Sequence, residues 1–174
     1  SACVSTRILV NEFKPNRSQR RNWKQNQDVQ VVINRDGFKC AYDSLYRRYI
    51  SQRHANGGMD TDSSDTFANF LLSRWCSTAL VEFHAKGQLL AVAAIDELKT
   101  GLSAVYTFFD PEVGQQRGMG TFAILWQIEH ARRQQLPYVY PGYWIAEARK
   151  MNYKTHFQPL EGLIDGIWQP IEAL

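Results

Sequence analysis

Cysteine is scarce in this 174-residue sequence: three residues, Cys3, Cys40 and Cys76, odd in number and far apart. That spacing matches no zinc pattern and no disulfide framework. Free thiols in a reducing cytoplasm are therefore expected. Histidine is scattered at 54, 84, 130 and 156, so no His-based metal site is expected. No apolar run approaches the ~18 residues that span a membrane. The Ser1-Ala2-Cys3 start lacks the charged and apolar stretches of a signal peptide. It also lacks an initiator Met, from which we expect an upstream segment. There is no G-x-S-x-G, no H-E-x-x-H and no Walker loop, so no hydrolase or NTPase signature stands out.

The chain does carry 44% hydrophobic and 21% charged residues, enough to bury a core in one domain. The net charge of +3 says little, but its distribution says more. Lys14, Arg17, Arg20, Arg21 and Lys24 stand together with few acids. Such a cluster suits phosphates, and equally suits a solvated helix face.

Periodicity orders the elements. Ile8–Phe13 reads as extended, and Ser18 as the cap of a short basic helix over Gln19–Lys24. Val29–Ile33 reads as a strand. Tyr42, Leu45, Tyr46, Tyr49 and Ile50 share one face of a helix over Tyr42–His54. A second helix is expected over Asp62–Trp75. Ala79–His84, Leu89–Ile95 and Leu102–Phe109 form a three-strand meander. Thr121–Gln135 is the strongest helix, with Ile124, Leu125, Ile128 and Ala131 inward. Tyr138–Ile145 is a strand, Ala146–Lys154 a short helix and Leu163–Trp168 a last strand. This order predicts an α/β or α+β fold: a mixed, mostly antiparallel sheet flanked by helices.

The loop Gln115-Gln116-Arg117-Gly118-Met119-Gly120 fits Q-x-x-G-x-G between a buried strand and a helix. Unpaired amides at a helix N-terminus, approached closely over glycine, hold phosphate well. Acetyltransferases of the GNAT superfamily use such a loop for the pyrophosphate of coenzyme A. Asp96 and Asp110 end successive strands. If those strands are neighbours, both carboxylates are expected near one end of the sheet, as general bases or as plain turn residues. Gly142, between Tyr140 and Tyr143, is expected to mark a kink or a close backbone approach beside an aromatic-walled pocket.

Several ordered pieces resemble the arginyl-/leucyl-tRNA–protein transferases. They are Ser18-Gln19-Arg20-Arg21, Tyr46-x-x-Tyr49-Ile50, Arg53-His54, Gly58-Met59, Tyr106-Thr107-Phe108-Phe109-Asp110-Pro111, Tyr140-Pro141-Gly142-Tyr143-Trp144-Ile145 and Met151-Asn152-Tyr153-Lys154. The likeness covers nearly the whole chain and is strongest to the bacterial branch, which adds leucine to N-terminal Asp or Glu. It implies a GNAT-like catalytic domain, assigned to 36–174. It also implies an N-terminal domain with a cysteine cluster for an iron–sulfur cluster or another metal, of which 1–35 is a remnant. Cys3 resembles the last cysteine of that cluster, and the others are absent, so no cofactor or metal is expected in this chain.

The resemblance implies aminoacyl-tRNA and acidic protein N-termini as partners, no membrane, and a cytoplasmic enzyme of N-degron degradation. Asp110, Asp96 and Tyr106 are the candidate catalytic residues. Arg53, His54, Tyr140, Tyr143 and Lys154 are candidates for substrate. Arg20, Arg21, Lys24, Arg117, Gly118 and Gly120 are candidates for tRNA. The sequence departs from the family at Arg117-Gly118-Met119, at Pro141 and at Ala148-Arg149. The first departure keeps an acetyl-CoA-dependent N-acetyltransferase as the alternative.

Overall fold

The computed structural model describes residues 3–54 and 77–174. The helix expected over Asp62–Trp75 lies outside them. The described strands are β1 (Val4–Leu9), β2 (Gln30–Asn34), β3 (Ser77–Ala85), β4 (Gln88–Glu97), β5 (Gly101–Phe109), β6 (Tyr138–Trp144), β7 (Leu160–Ile164) and β8 (Ile167–Ile171). They form one eight-stranded sheet in the order β2-β3-β4-β5-β6-β1-β7-β8. Every pairing is antiparallel except β5 with β6. The α/β, mostly antiparallel expectation is met, and the meander is β3-β4-β5. Residues 4–34 supply β1, α1 (Arg17–Gln25) and β2 to the same body.

Alternation along the central strands buries both faces of the sheet. Ala79, Val81, Phe83, Ala91, Ala93 and Ile95 meet Phe122, Leu125 and Ile128 of α3 (Met119–Arg133) on one face. Leu80, Val92, Ala94 and Phe108 meet Tyr42, Leu45 and Tyr49 of α2 (Cys40–His54) on the other. The apolar stripes expected on both helices are the buried ones.

Local boundaries differ in several places, and the short helix expected over Ala146–Lys154 is a 3-10 segment over Arg149–His156. The first strand runs over Val4–Leu9, and Val10–Glu12 is a 3-10 turn. The cap of α1 is Asn16 rather than Ser18: the Asn16 side chain accepts from the Gln19 amide, and Gln19 returns a bond to the Asn16 amide, both at 2.9 Å. That reciprocal box satisfies two amides at once, which Ser18 inside the first turn cannot do. The expected strand Leu163–Trp168 is a hairpin, turned at Asp165 (φ 50°) and Gly166 (φ 78°). Asp-Gly accepts the paired positive φ values of a tight hairpin turn.

Candidate active site

β5 and β6 pair only over Gly101–Ser103 and Tyr138–Tyr140, then part. Each strand is bulged where they separate. Val105 is the extra residue of β5 between the Ile95↔Ala104 and Ala94↔Tyr106 pairs. On β6, Tyr140 and Pro141 together oppose Arg7 of β1. Pro141 has no amide to continue the ladder, and Gly142 follows at φ +97°. The kink expected at Gly142 is present, and with Pro141 it opens the sheet.

The opening is a cleft of about 590 Å³. β5 contributes Ala104 to Thr107 and Phe109, and α2 contributes Tyr49, Gln52 and Arg53. Gly120 and Ile124 enter from α3, and Tyr153 and Lys154 from the 3-10 segment Arg149–His156. That volume is in the range of small-ligand sites.

The N-terminus of α3 borders this cleft. Its first intrahelical bond runs from the Phe122 amide to the Gly118 carbonyl, which leaves the amides of Met119, Gly120 and Thr121 without helical partners. Gly118 caps the helix in the left-handed region, φ 62° and ψ 46°. A Cβ there would lie 2.5 Å from the Asn22 amide nitrogen, which donates to the Gly118 carbonyl. The glycine thus lets α1 clamp the loop from behind while Gly120 faces the cleft.

Arg117 points elsewhere. Its guanidinium forms a two-pronged pair with Asp28, at 2.7 and 2.8 Å. That pairing leaves it committed to the fold.

The two carboxylates do not converge. Asp96, one residue before the end of β4, lies opposite Ser103 and accepts from the Thr78 hydroxyl at 2.6 Å. Asp110 follows the far end of β5, and its amide bonds the Leu90 carbonyl at the start of β4. Neighbouring antiparallel strands end at opposite edges, so the expectation of a shared end fails for a topological reason.

Asp110 is 3% exposed. It accepts from the amides of Glu112 and Val113 at 3.0 and 2.8 Å, and from Arg48 at 2.6 Å. Burial raises its pKa, but these amide and guanidinium donors outweigh that and hold it below the usual carboxylate range. A carboxylate so occupied is a weak base, and it braces the turn into Pro111–Gly120.

Tyr106 lines the cleft, with ring contacts to Tyr46 and Tyr49. Burial pushes its hydroxyl up to about 12, so it stays protonated at neutral pH. Arg53 lies over the Tyr49 ring and donates to its hydroxyl. The His54 side chain lies outside the described residues. Lys154 is 8% exposed, and its ammonium donates to the Tyr143 carbonyl. No carboxylate lies within 4 Å of it among the described residues. Burial lowers its pKa, with a smaller opposing effect from Cys3.

Tyr140 is outside the cleft, bonded to Thr100 and packed near Trp168. Tyr143 is 59% exposed and contributes its carbonyl. Arg20, Arg21 and Lys24 lie exposed on α1. Gln52, Gln115 and Tyr49 were not foreseen as cleft residues. The spacing of Tyr49, Gln52 and Arg53 along one helix is the signal for Tyr49 and Gln52, and the Q-x-x-G-x-G loop the signal for Gln115. Cys3 is exposed, and among the described residues no group of three or more His, Cys, Asp or Glu is placed to hold a metal ion. Nor is any described helix long and apolar enough to cross a membrane.

Comparison with known proteins gives the fold and the family. Two solved structures share the fold: the L-PGS from Bacillus licheniformis (TM-score 0.60, 7% identity, 95% of this chain and 55% of that one), and the C-terminal domain of a proposed lysylphosphatidylglycerol synthetase from Agrobacterium fabrum (TM-score 0.58, 12% identity, 90% and 50%). The family model "Arginine-tRNA-protein transferase, C terminus" matches residues 41–164. An aspartate/glutamate leucyltransferase of Nitrosococcus oceani is 50% identical over 169 residues, covering 97% of this chain and 71% of that protein. That of Thiobacillus denitrificans is 49% identical over 172 residues, covering 99% and 71%. The chain belongs to the family of arginine-tRNA-protein transferases and aspartate/glutamate leucyltransferases, enzymes that transfer an amino acid from tRNA to protein.

Proposed function

We propose that the chain transfers leucine from charged tRNA to proteins that begin with Asp or Glu, with arginine as the other possible donor, and that the chemistry takes place in the β5–β6 cleft. The observation that carries this reading is the opening itself. Two bulged strands part, and a helix N-terminus and a buried lysine face the gap. In the cell the reaction belongs to the cytoplasm, where a new N-terminal leucine feeds N-degron degradation.

The α-amine of the acceptor attacks the ester carbonyl of aminoacyl-tRNA. A C–N bond forms, the ribose C–O bond breaks, and the amine's proton ends on the departing ribose oxygen. The ester is already activated, so no covalent enzyme intermediate is needed. An α-amine titrates near 7.7–8.0, so roughly a third is already neutral at pH 7.5. Positioning then supplies most of the acceleration, on the order of 7–11 kcal/mol.

Tyr106, protonated in the cleft, passes the proton toward the ribose oxygen. Lys154 and Arg53 hold the acceptor's acidic side chain. The amides of Met119–Thr121 hold the terminal phosphate of the tRNA, and Arg20, Arg21 and Lys24 meet phosphates further along. Asp110 serves by bracing the loop, and Asp96 lies too far along β4 to act as base.

The test is direct. The protein is mixed with leucyl- or arginyl-tRNA and peptides starting with Asp, Glu, Arg or Lys, and the added residue is read by mass. Leucine on Asp and Glu peptides is the expected product. Absence of any transfer, with micromolar acetyl-CoA binding by calorimetry, returns the N-acetyltransferase reading.

A further inference from the structure

Away from the cleft, a second cavity of about 530 Å³ runs between α1 and α3. Phe13, Trp23, Leu125 and Ile128 give it apolar walls, and exposed Arg20, Arg132 and Arg133 line it with Glu129. Three guanidinium groups therefore face one carboxylate. Glu129 lies 3.3 Å from both Arg132 and Arg133. Otherwise Arg20 and Arg132 donate to the neutral carbonyls of Pro15, Val10 and Phe13. Carbonyls satisfy hydrogen bonds without cancelling charge. Arg17, Arg21 and Lys24 add three exposed cations on α1, which carries no acid. An aromatic wall in an apolar slot with an excess of arginine suits a flat, uncharged ring joined to anions. A nucleobase on its phosphodiester strand has that chemistry. An acidic peptide would match the charge but not the flat apolar slot.

The slot is also within reach of the cleft. Gly120 lines the cleft and Arg132 the groove. Twelve residues at 1.5 Å each set them about 18 Å apart along α3. One RNA strand can engage both.

We propose that the α1–α3 groove takes a nucleobase of the tRNA strand, stacked on Trp23, with its flanking phosphates on Arg20 and Arg133. This rests on the aminoacyl-tRNA reading above and adds a second site of tRNA recognition.

Binding of unacylated tRNA by the whole chain tests it, measured across a salt series. Trp23→Leu keeps the apolar volume and removes the aromatic face. It is expected to weaken tRNA binding roughly 5- to 100-fold. Arg133→Gln is expected to weaken binding and to lower the salt slope by about one. A short 4-thiouridine-containing oligouridylate is expected to crosslink to the peptide containing Trp23. Wild-type affinity and salt slope in both variants, or crosslinks only elsewhere, overturn the proposal. So does competition for the groove by an acidic peptide instead of RNA. Should Trp23→Leu fail to fold, the exposed Arg133→Gln decides. Wild-type transfer alongside unaffected groove variants sinks the groove and spares the function. Groove-dependent tRNA binding with no transfer does the reverse.

Discussion

Lys154 lines the cleft, Asp110 lies behind it between the lining residues Phe109 and Pro111, and both bury a charged side chain. Their surroundings differ. Asp110 is answered by two backbone amides, Arg48 and the Gln88 amide. Lys154 has three donor hydrogens and, among the described residues, one carbonyl partner and no carboxylate. An interior charge is costly unless paired. A fold that pairs one fully and leaves the other to a carbonyl separates two uses of charge. Asp110 builds the rim. Lys154, in our reading, is kept for an anionic substrate.

The largest effect that would break this contrast concerns stability. Asp110→Ala leaves two amides unpaired and frees the half-exposed Arg48, and is expected to cost about 3 kcal/mol in urea unfolding. The pH signature follows from its depressed pKa. The contribution is complete above the unfolded carboxyl value of ~3.9 and is lost as pH falls through the lower folded value. Asp110→Asn should remove that acid limb, and an unaltered stability–pH profile would refute the bracing role.

Next comes Lys154→Met. Transfer to Asp and Glu peptides should fall about 100-fold, the ~2.7 kcal/mol expected when one half of a buried charge pair is lost. Stability should hold or rise, because a desolvated ammonium is gone. Equal losses of stability and activity would make Lys154 a second Asp110. Its depressed pKa also has a sign. The unfolded chain holds the proton up to ~10.4, the folded chain to a lower pH, so this group's contribution to stability grows as pH rises through that window. Transfer to acidic peptides should decline across the same window.

Smaller still is Gly142→Ala. At φ +97° the new Cβ is strained, and it would sit 3.4 Å from the Lys154 nitrogen. A loss of about 1–2 kcal/mol is expected, with a raised KM for peptide. Arg53→Ala sharpens the comparison least. Arg53 is exposed, so a roughly threefold, salt-sensitive loss confined to acidic peptides is expected. Unchanged rates would leave acid recognition to Lys154.

Much of this was legible from local pattern. The stripe Tyr42-Leu45-Tyr49 and the stripe Ile124-Leu125-Ile128 give helices with the inward faces expected, because a 3.6-residue period needs no partner to be read. The alternation of Ala79–His84 and the apolar run Leu89–Ile95 likewise mark the meander. Local competition explains the near misses. Asn16 outdoes Ser18 because it gains a reciprocal bond with Gln19. Asp165-Gly166 divides the Leu163–Trp168 stretch into two strands, because the pair takes the positive φ values of a tight turn inside an apolar run.

The sequence by itself determined the helices α1 to α3, the meander, the glycine before α3 and the family. Each depends on spacing within one segment or on an ordered set of short motifs. Only the tertiary structure decided which charges face the cleft. Antiparallel pairing sent Asp96 and Asp110 to opposite edges. Asp28 claimed Arg117. The paired bulges at Val105 and Tyr140–Pro141 parted β5 from β6 and gave Lys154 its opening. Those outcomes depend on contacts between residues far apart in the chain, and no local period encodes them.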